Sequence, residues 1–200
     1  FIHGTGLMLG MVGGTKYAIQ KSRQEDGAAC RLFTHAVMMA GAAAVLFVLA
    51  GLFLAGGIVS LFGAQGGVET MSRTYLQVIL WFAPAFLLNN VVLCFVRNDG
   101  APHLAMTAMV GGSLSNVVLD YVFIFPCGMG IFGAAFATGL APIISLAILS
   151  PHFLRQKNGF RMIRCAPSAR TAAGVLSSGL PSLVTEVSSG VVMIAFNAII

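Results

Sequence analysis

Charge is what this sequence has least of. Only 8% of its 200 residues are Asp, Glu, Lys or Arg, and only six are acids, whereas a soluble domain is about a quarter charged. With 58% of residues hydrophobic and a mean hydropathy of +0.92, a water-soluble fold is excluded and a polytopic membrane protein is implied. Cysteine is also sparse. Cys30, Cys94, Cys127 and Cys165 form no CxxC pair and show no metal-ligand spacing, which argues against a disulfide framework or a zinc site. Enzyme motifs are missing: there is no HExxH and no GxxxxGK[ST], so zinc proteolysis and P-loop ATP hydrolysis are not encoded. Ser188-Ser189-Gly190 has neither a glycine two residues before the serine nor a base to serve it. An intramembrane aspartyl protease needs two membrane aspartates, and only Asp120 lies in an apolar run. The sequence is therefore not expected to be an enzyme, and no cofactor is expected. No cleavable signal peptide is legible, and both ends, Phe1 and Ile200, fall in apolar runs, which reads as part of a longer polypeptide.

What is present is a series of six apolar stretches, near residues 2–19, 32–62, 75–96, 103–125, 131–151 and 171–200. Each is long enough to cross ~30 Å of hydrocarbon at ~1.5 Å per residue. The expected fold is all-α, with six membrane spans. The cations orient it. Lys16, Lys21, Arg23 and Arg31 flank the first connection, Arg97 the third, and Arg155, Lys157, Arg161, Arg164 and Arg170 the fifth, while the second holds only Arg73 and the fourth none. The positive-inside rule puts the odd connections in the cytoplasm. The net charge of +5 is thus a topology signal, and no nucleic-acid partner is expected. Tyr75 and Trp81 suit an outer interface, and Pro84 and Pro142 are expected to kink their spans.

Polar residues inside these spans carry the functional signal. A charge at mid-bilayer costs roughly 2.5–3.5 kcal/mol on insertion scales. Asp120 accepts that cost, and Asn116 lies one helical turn before it on the same face, with Ser113 continuing the stripe. An amide, a hydroxyl and a carboxylate on one face suit a proton or a hard cation such as Na⁺. Thr138 lies in the next span; its hydroxyl serves either its own helix or the same polar spot. Glu186 is the second acid in a span, after Pro181. Asn89 and Asn90 are expected to hydrogen-bond between helices or to line a cavity. His3, His35, His103 and His152 have no metal-like neighbour in sequence and read as bystanders, and Met8, Met11, Met38, Met39, Met106, Met109 and Met193 read as core.

Several blocks resemble the MATE (multidrug and toxic compound extrusion) transporters. They are Arg97-Asn98-Asp99-Gly100-Ala101-Pro102, Asn116-Val117-Val118-Leu119-Asp120-Tyr121, the run from Gly130 to Thr138, and Gly179-Leu180-Pro181 with Asn197 later. The resemblance implies twelve helices in two six-helix lobes, of which this chain would supply helices two to seven. Residues 1–150 would then be most of the N-terminal lobe, 151–170 a cytoplasmic basic linker and 171–200 the start of the C-terminal lobe. It also implies exchange of H⁺ or Na⁺ for cationic, amphipathic drugs or dyes across a bacterial plasma membrane. Asn116, Asp120 and Thr138 match three residues of the family's N-lobe cation site, and Glu186 matches a glutamate that some members use on helix seven. The family's acid on helix one has no counterpart here. Two rival readings are a lipid-linked saccharide flippase of the same superfamily, disfavoured because the basic residues fall in loops, and a non-transporting membrane scaffold.

Overall fold

A computed structural model describes residues 1–61, 67–154, 159–163, 165 and 169–199. Among the described residues eight helices follow one another: α1 (Ile2–Ser22), α2 (Asp26–Phe53), α3 (Ala55–Leu61), α4 (Gly67–Trp81), α5 (Ala83–Asn98), α6 (Pro102–Ile124), α7 (Gly130–Leu154) and α8 (Ala169–Ile199). No strand occurs among the described residues, as expected of backbone that must satisfy its own hydrogen bonds in lipid. Arg155, Lys157 and Arg164, and the side chains of Arg170, Met193 and Asn197, lie outside the described residues.

Four helices, α2, α6, α7 and α8, are long and apolar enough to cross a membrane, and the bent pair α4–α5 makes five. The sixth expected stretch, 2–19, does form a helix, but α1 is not among the strongly apolar ones. The reason is its position. α1 packs against α5, α2 and α8, and on the side that meets them it needs small residues more than greasy ones. Gly6, Gly10, Gly13 and Gly14 make its face toward α5: Cβ atoms built on them would come within 2.7–3.0 Å of Asn90, Phe95 and Asn98 atoms. Absent side chains let the two backbones approach closely.

The run 32–62 is not one rod: α2 ends at Phe53, and the seven-residue α3 follows. The run 75–96 falls on α4 and α5, which meet at Phe82 with a 47° bend. Pro84 sits in the first turn of α5, where it lacks the N–H needed to continue α4's ladder. Pro142 lies inside α7, which continues through it as one helix. Near the C-terminal ends of α1 and α5, Tyr17, Phe33, Phe95 and Phe160 form a buried aromatic cluster with ring centroids 4.6–5.7 Å apart, in the range of favourable edge and tilted contacts.

The α1–α5 contact predicts an asymmetry between glycines. A Cβ at Gly10 would lie 2.7 Å from the Asn90 carbonyl oxygen, which is backbone, whereas one at Gly41 meets nothing within 4 Å. Gly10→Ala should destabilise by about 1–3 kcal/mol, seen as a fall of several degrees in the Tm of detergent-purified protein. Gly41→Ala, in mid-α2, should leave Tm unchanged or raise it slightly.

Candidate functional site

Three helices each turn one polar stripe toward a common cavity of about 390 Å³. On α5 the stripe is Phe86, Asn89, Asn90, Leu93, Cys94 and Arg97, spaced as one helical face. On α6 it is Met109, Gly112, Ser113 and Asn116, and on α7 Thr138, Ala141, Pro142 and Ser145. His3 and Leu7 of α1 complete the wall. Asp120 extends the α6 stripe by one further turn.

Four side-chain atoms on these helices are buried without a hydrogen-bond partner: Asn89 Oδ1, Asn116 Nδ2, Asp120 Oδ1 and Ser145 Oγ. Each such atom costs about 1–3 kcal/mol unless something bonds it, so four on three adjacent helices leave hydrogen-bonding capacity that no protein group uses. Two further polar groups on the wall have partners. Thr138 Oγ1 donates to Ala134 O at 2.9 Å and keeps its lone pairs, so the two uses open to it in sequence coexist. Asn90 Nδ2 lies 3.3 Å from His3 Nδ1.

Asn116 and Thr138 therefore line one cavity, with Asp120 beside them. Glu186 is elsewhere. It packs against Gly4 of α1, 2.9 Å from a Cβ built there, in a small cavity of about 120 Å³ between α1 and α8. No cluster of three His, Cys, Asp or Glu side chains occurs among the described residues, so a cation here would have one carboxylate and neutral oxygens for ligands.

Two groups assigned no role in sequence have one in the structure. Arg97, placed in a loop, occupies the last turn of α5 and lines the cavity. Asp99, also assigned to a loop, has a fully buried side chain that accepts from Lys21 Nζ, from Tyr17 Oη, from Gly159 N at 2.8 Å and pairs with His152 Nε2 at 2.9 Å. His152 is thus a structural partner rather than a bystander. Burial by itself would raise the Asp99 carboxyl, but the hydrogen bonds from Lys21, Tyr17, Gly159 and His152 outweigh it and hold the carboxyl below its ordinary value. The available signal was the motif at 97–102, which the resemblance already singled out.

The MatE family profile matches residues 21–122, just over half of the chain. The multidrug export protein MepA of Staphylococcus saprophyticus is 26% identical over 155 residues, which is 76% of this chain and 34% of that protein. A solved inward-facing conformation of a multidrug resistance MATE transporter superposes with a TM-score of 0.89 at 26% identity, covering 96% of this chain and 44% of that one. A solved outward-facing conformation gives 0.82 at 29% identity, with 98% and 44% covered. The chain thus spans about a third of the curated relative's length and under half of the solved ones'.

The Asp99 cluster predicts a pH signature. A carboxyl lowered on folding stabilises fully above its unfolded pKa of about 4 and loses that contribution as pH falls through the folded value. Asp99→Asn should lower Tm throughout pH 5–8, and the gap from the unsubstituted protein should close below about pH 4. A gap that persists at lower pH would show that shape, not charge, is what the substitution removes.

Proposed function

The chain belongs to the MatE family, and from that premise we propose that it forms most of the first lobe, and the start of the second, of a secondary multidrug exporter in a bacterial plasma membrane. The observation that carries the proposal is the convergence of three polar stripes on one cavity with unpartnered Asn89, Asn116 and Ser145 atoms, and an unpartnered Asp120 oxygen one turn beyond it on α6. The cargo is cationic, amphipathic drugs or dyes, and the coupling ion is H⁺ or Na⁺. Asp120 binds that ion, with Asn116 and Thr138 as oxygen partners. Neutralising Asp120 removes the cavity's negative pole, which links ion binding to release of a cationic guest. The potential contributes ~2.3 kcal/mol per charge per 100 mV, and access alternates as two lobes rock about the cavity. The C-terminal lobe and a first helix come from the rest of the same polypeptide, with membrane lipid around it. Glu186, on α8, is a second coupling position, separate from the first.

A non-transporting scaffold would bury Asp120 with its oxygens satisfied, whereas Asp120 Oδ1 has no partner. The flippase reading keeps one supporting observation, Arg97 on the cavity wall. A single guanidinium is sparse for a pyrophosphate.

Two measurements test the proposal. In proteoliposomes of the full polypeptide, Asp120→Asn should reduce ion-driven export of a cationic dye by about tenfold or more, the loss of one strong charge contact. Undiminished coupled export would remove Asp120 from the mechanism. Asn89→Leu should weaken dye binding while leaving Tm equal or higher, because it deletes a buried acceptor that the protein itself leaves unpaired. Parallel losses of binding and Tm would make Asn89 structural.

A further inference from the structure

A second cavity, of about 630 Å³, lies away from the candidate site, between α3, α4 and the start of α7. Ile58 and Val59 of α3, Met71 and Leu76 of α4, and Ile131 and Ala134 of α7 stand on its wall. Among the described residues its only polar side-chain atoms are the hydroxyls of Ser72 and Tyr75. The α4 residues that line it recur every three or four positions from Val68 to Leu76, one side of a helix. α8 packs on α1 and α2 alone among the described helices, so it leaves this side of the bundle uncovered.

The chemistry of the wall narrows the occupant. An ordered water needs about two to four polar partners, and two hydroxyls on a wide apolar wall do not supply them. A cationic drug finds no carboxylate there. A hydrocarbon chain needs neither, and an unfilled apolar space beside lipid forfeits dispersion contacts that a chain restores.

A neighbouring charge selects among chains. Arg73 directly follows Ser72 and is exposed. Its guanidinium carbon lies 3.6 Å from a Cβ built on Gly56, two residues before Ile58 on α3, so the side chain reaches from α4 to α3 beside the cavity. Glu69, one turn earlier on α4, is not within ion-pair distance, and among the described residues the ion pairs are those of Asp99.

We propose that this cavity binds a membrane phospholipid: one acyl chain fills the space between α3, α4 and α7, and the phosphate pairs with the Arg73 guanidinium. A planar guanidinium holds phosphate oxygens through parallel N–H donors, and Tyr75, on the lining face, suits the headgroup level. The chain bears on the turn of α7 whose Ala134 carbonyl accepts the Thr138 hydroxyl at 2.9 Å, so lipid and candidate site share one stretch of helix. The assignment does not rest on the export reading.

The test uses two probes with the same diazirine-bearing acyl chain, a phosphatidylglycerol and a diacylglycerol, photolysed with the full polypeptide in nanodiscs and mapped by mass spectrometry. The phosphatidylglycerol should label residues 68–76 and 131–134 about fivefold more than the diacylglycerol, the scale of one exposed charge pair. Arg73→Gln should bring the two probes level, and Arg73→Lys should restore part of the difference. Ile131→Trp, which fills the cavity, should reduce labelling by both. A Tm near that of the unsubstituted protein shows that each variant is folded. Equal labelling by the two probes in the unsubstituted protein, a ratio unmoved by Arg73→Gln, or labelling no denser than that of the exposed Val45 and Leu46 of α2 makes the lipid an unspecific annulus and overturns the assignment. Displacement of the phosphatidylglycerol probe by a cationic dye makes the cavity a cargo site and overturns it equally.

Discussion

The close approach of α1 and α5 is the constraint on which the remaining arrangement depends. Four glycines clear one face of α1, so the α5 backbone sits where side chains would otherwise stand. Pressed there, α5 turns Asn89 and Arg97 toward the cavity it shares with α6 and α7, while Asn90 stands at the seam with α1. The break at Phe82 serves the same end. By releasing α5 from the axis of α4, it lets α5 lie along α1 while α4 packs on α7. An apolar α1 would face lipid comfortably, but it would push α5 away and close the cavity from the inside.

Two aspartates show how the same group is put to different uses. Asp99 is buried and saturated: four donors from α1, α7 and the segment after α7 converge on its two oxygens. Such a carboxylate has nothing left to bind, and it ties α1 and α7 to Gly159 and, through it, to the Phe160 aromatic cluster. Asp120 keeps an oxygen free. In a low-dielectric setting a free oxygen is expensive. Saturation marks Asp99 as a structural acid, and its absence sets Asp120 apart as the acid proposed to bind the coupling ion.

The polar stripe on α6 was readable because Asn116 and Asp120 are four apart, a spacing that forces a shared face whatever surrounds the helix. The α5 and α7 stripes obey the same rule, with Asn89, Asn90 and Arg97 on one and Thr138 and Ser145 seven apart on the other. Asn89 and Asn90 stand out in sequence as deep polar residues, whereas Ser145 carries no signal of its own and Arg97 reads as a loop charge. Assigning Arg97 to a connection hid it, since α5 continues through Asn98. Glu186 shows the opposite difficulty. Its depth in a span was plain, but its neighbour, Gly4 at the far end of the chain, has no local signature.

The sequence alone determined the class of protein and its building blocks, because apolar length, charge asymmetry and helical periodicity are local properties that need no partner to be read. Membrane residence, the all-α character and the face shared by Asn116 and Asp120 follow from those. Only the tertiary structure decided which stripes meet, that α1 packs against α5, α2 and α8, that Asp99 is saturated and that Glu186 stands apart from Asp120. Those outcomes depend on how closely two backbones approach and which donors reach one oxygen, and both are set by contacts between residues as many as 182 positions apart, as with Gly4 and Glu186.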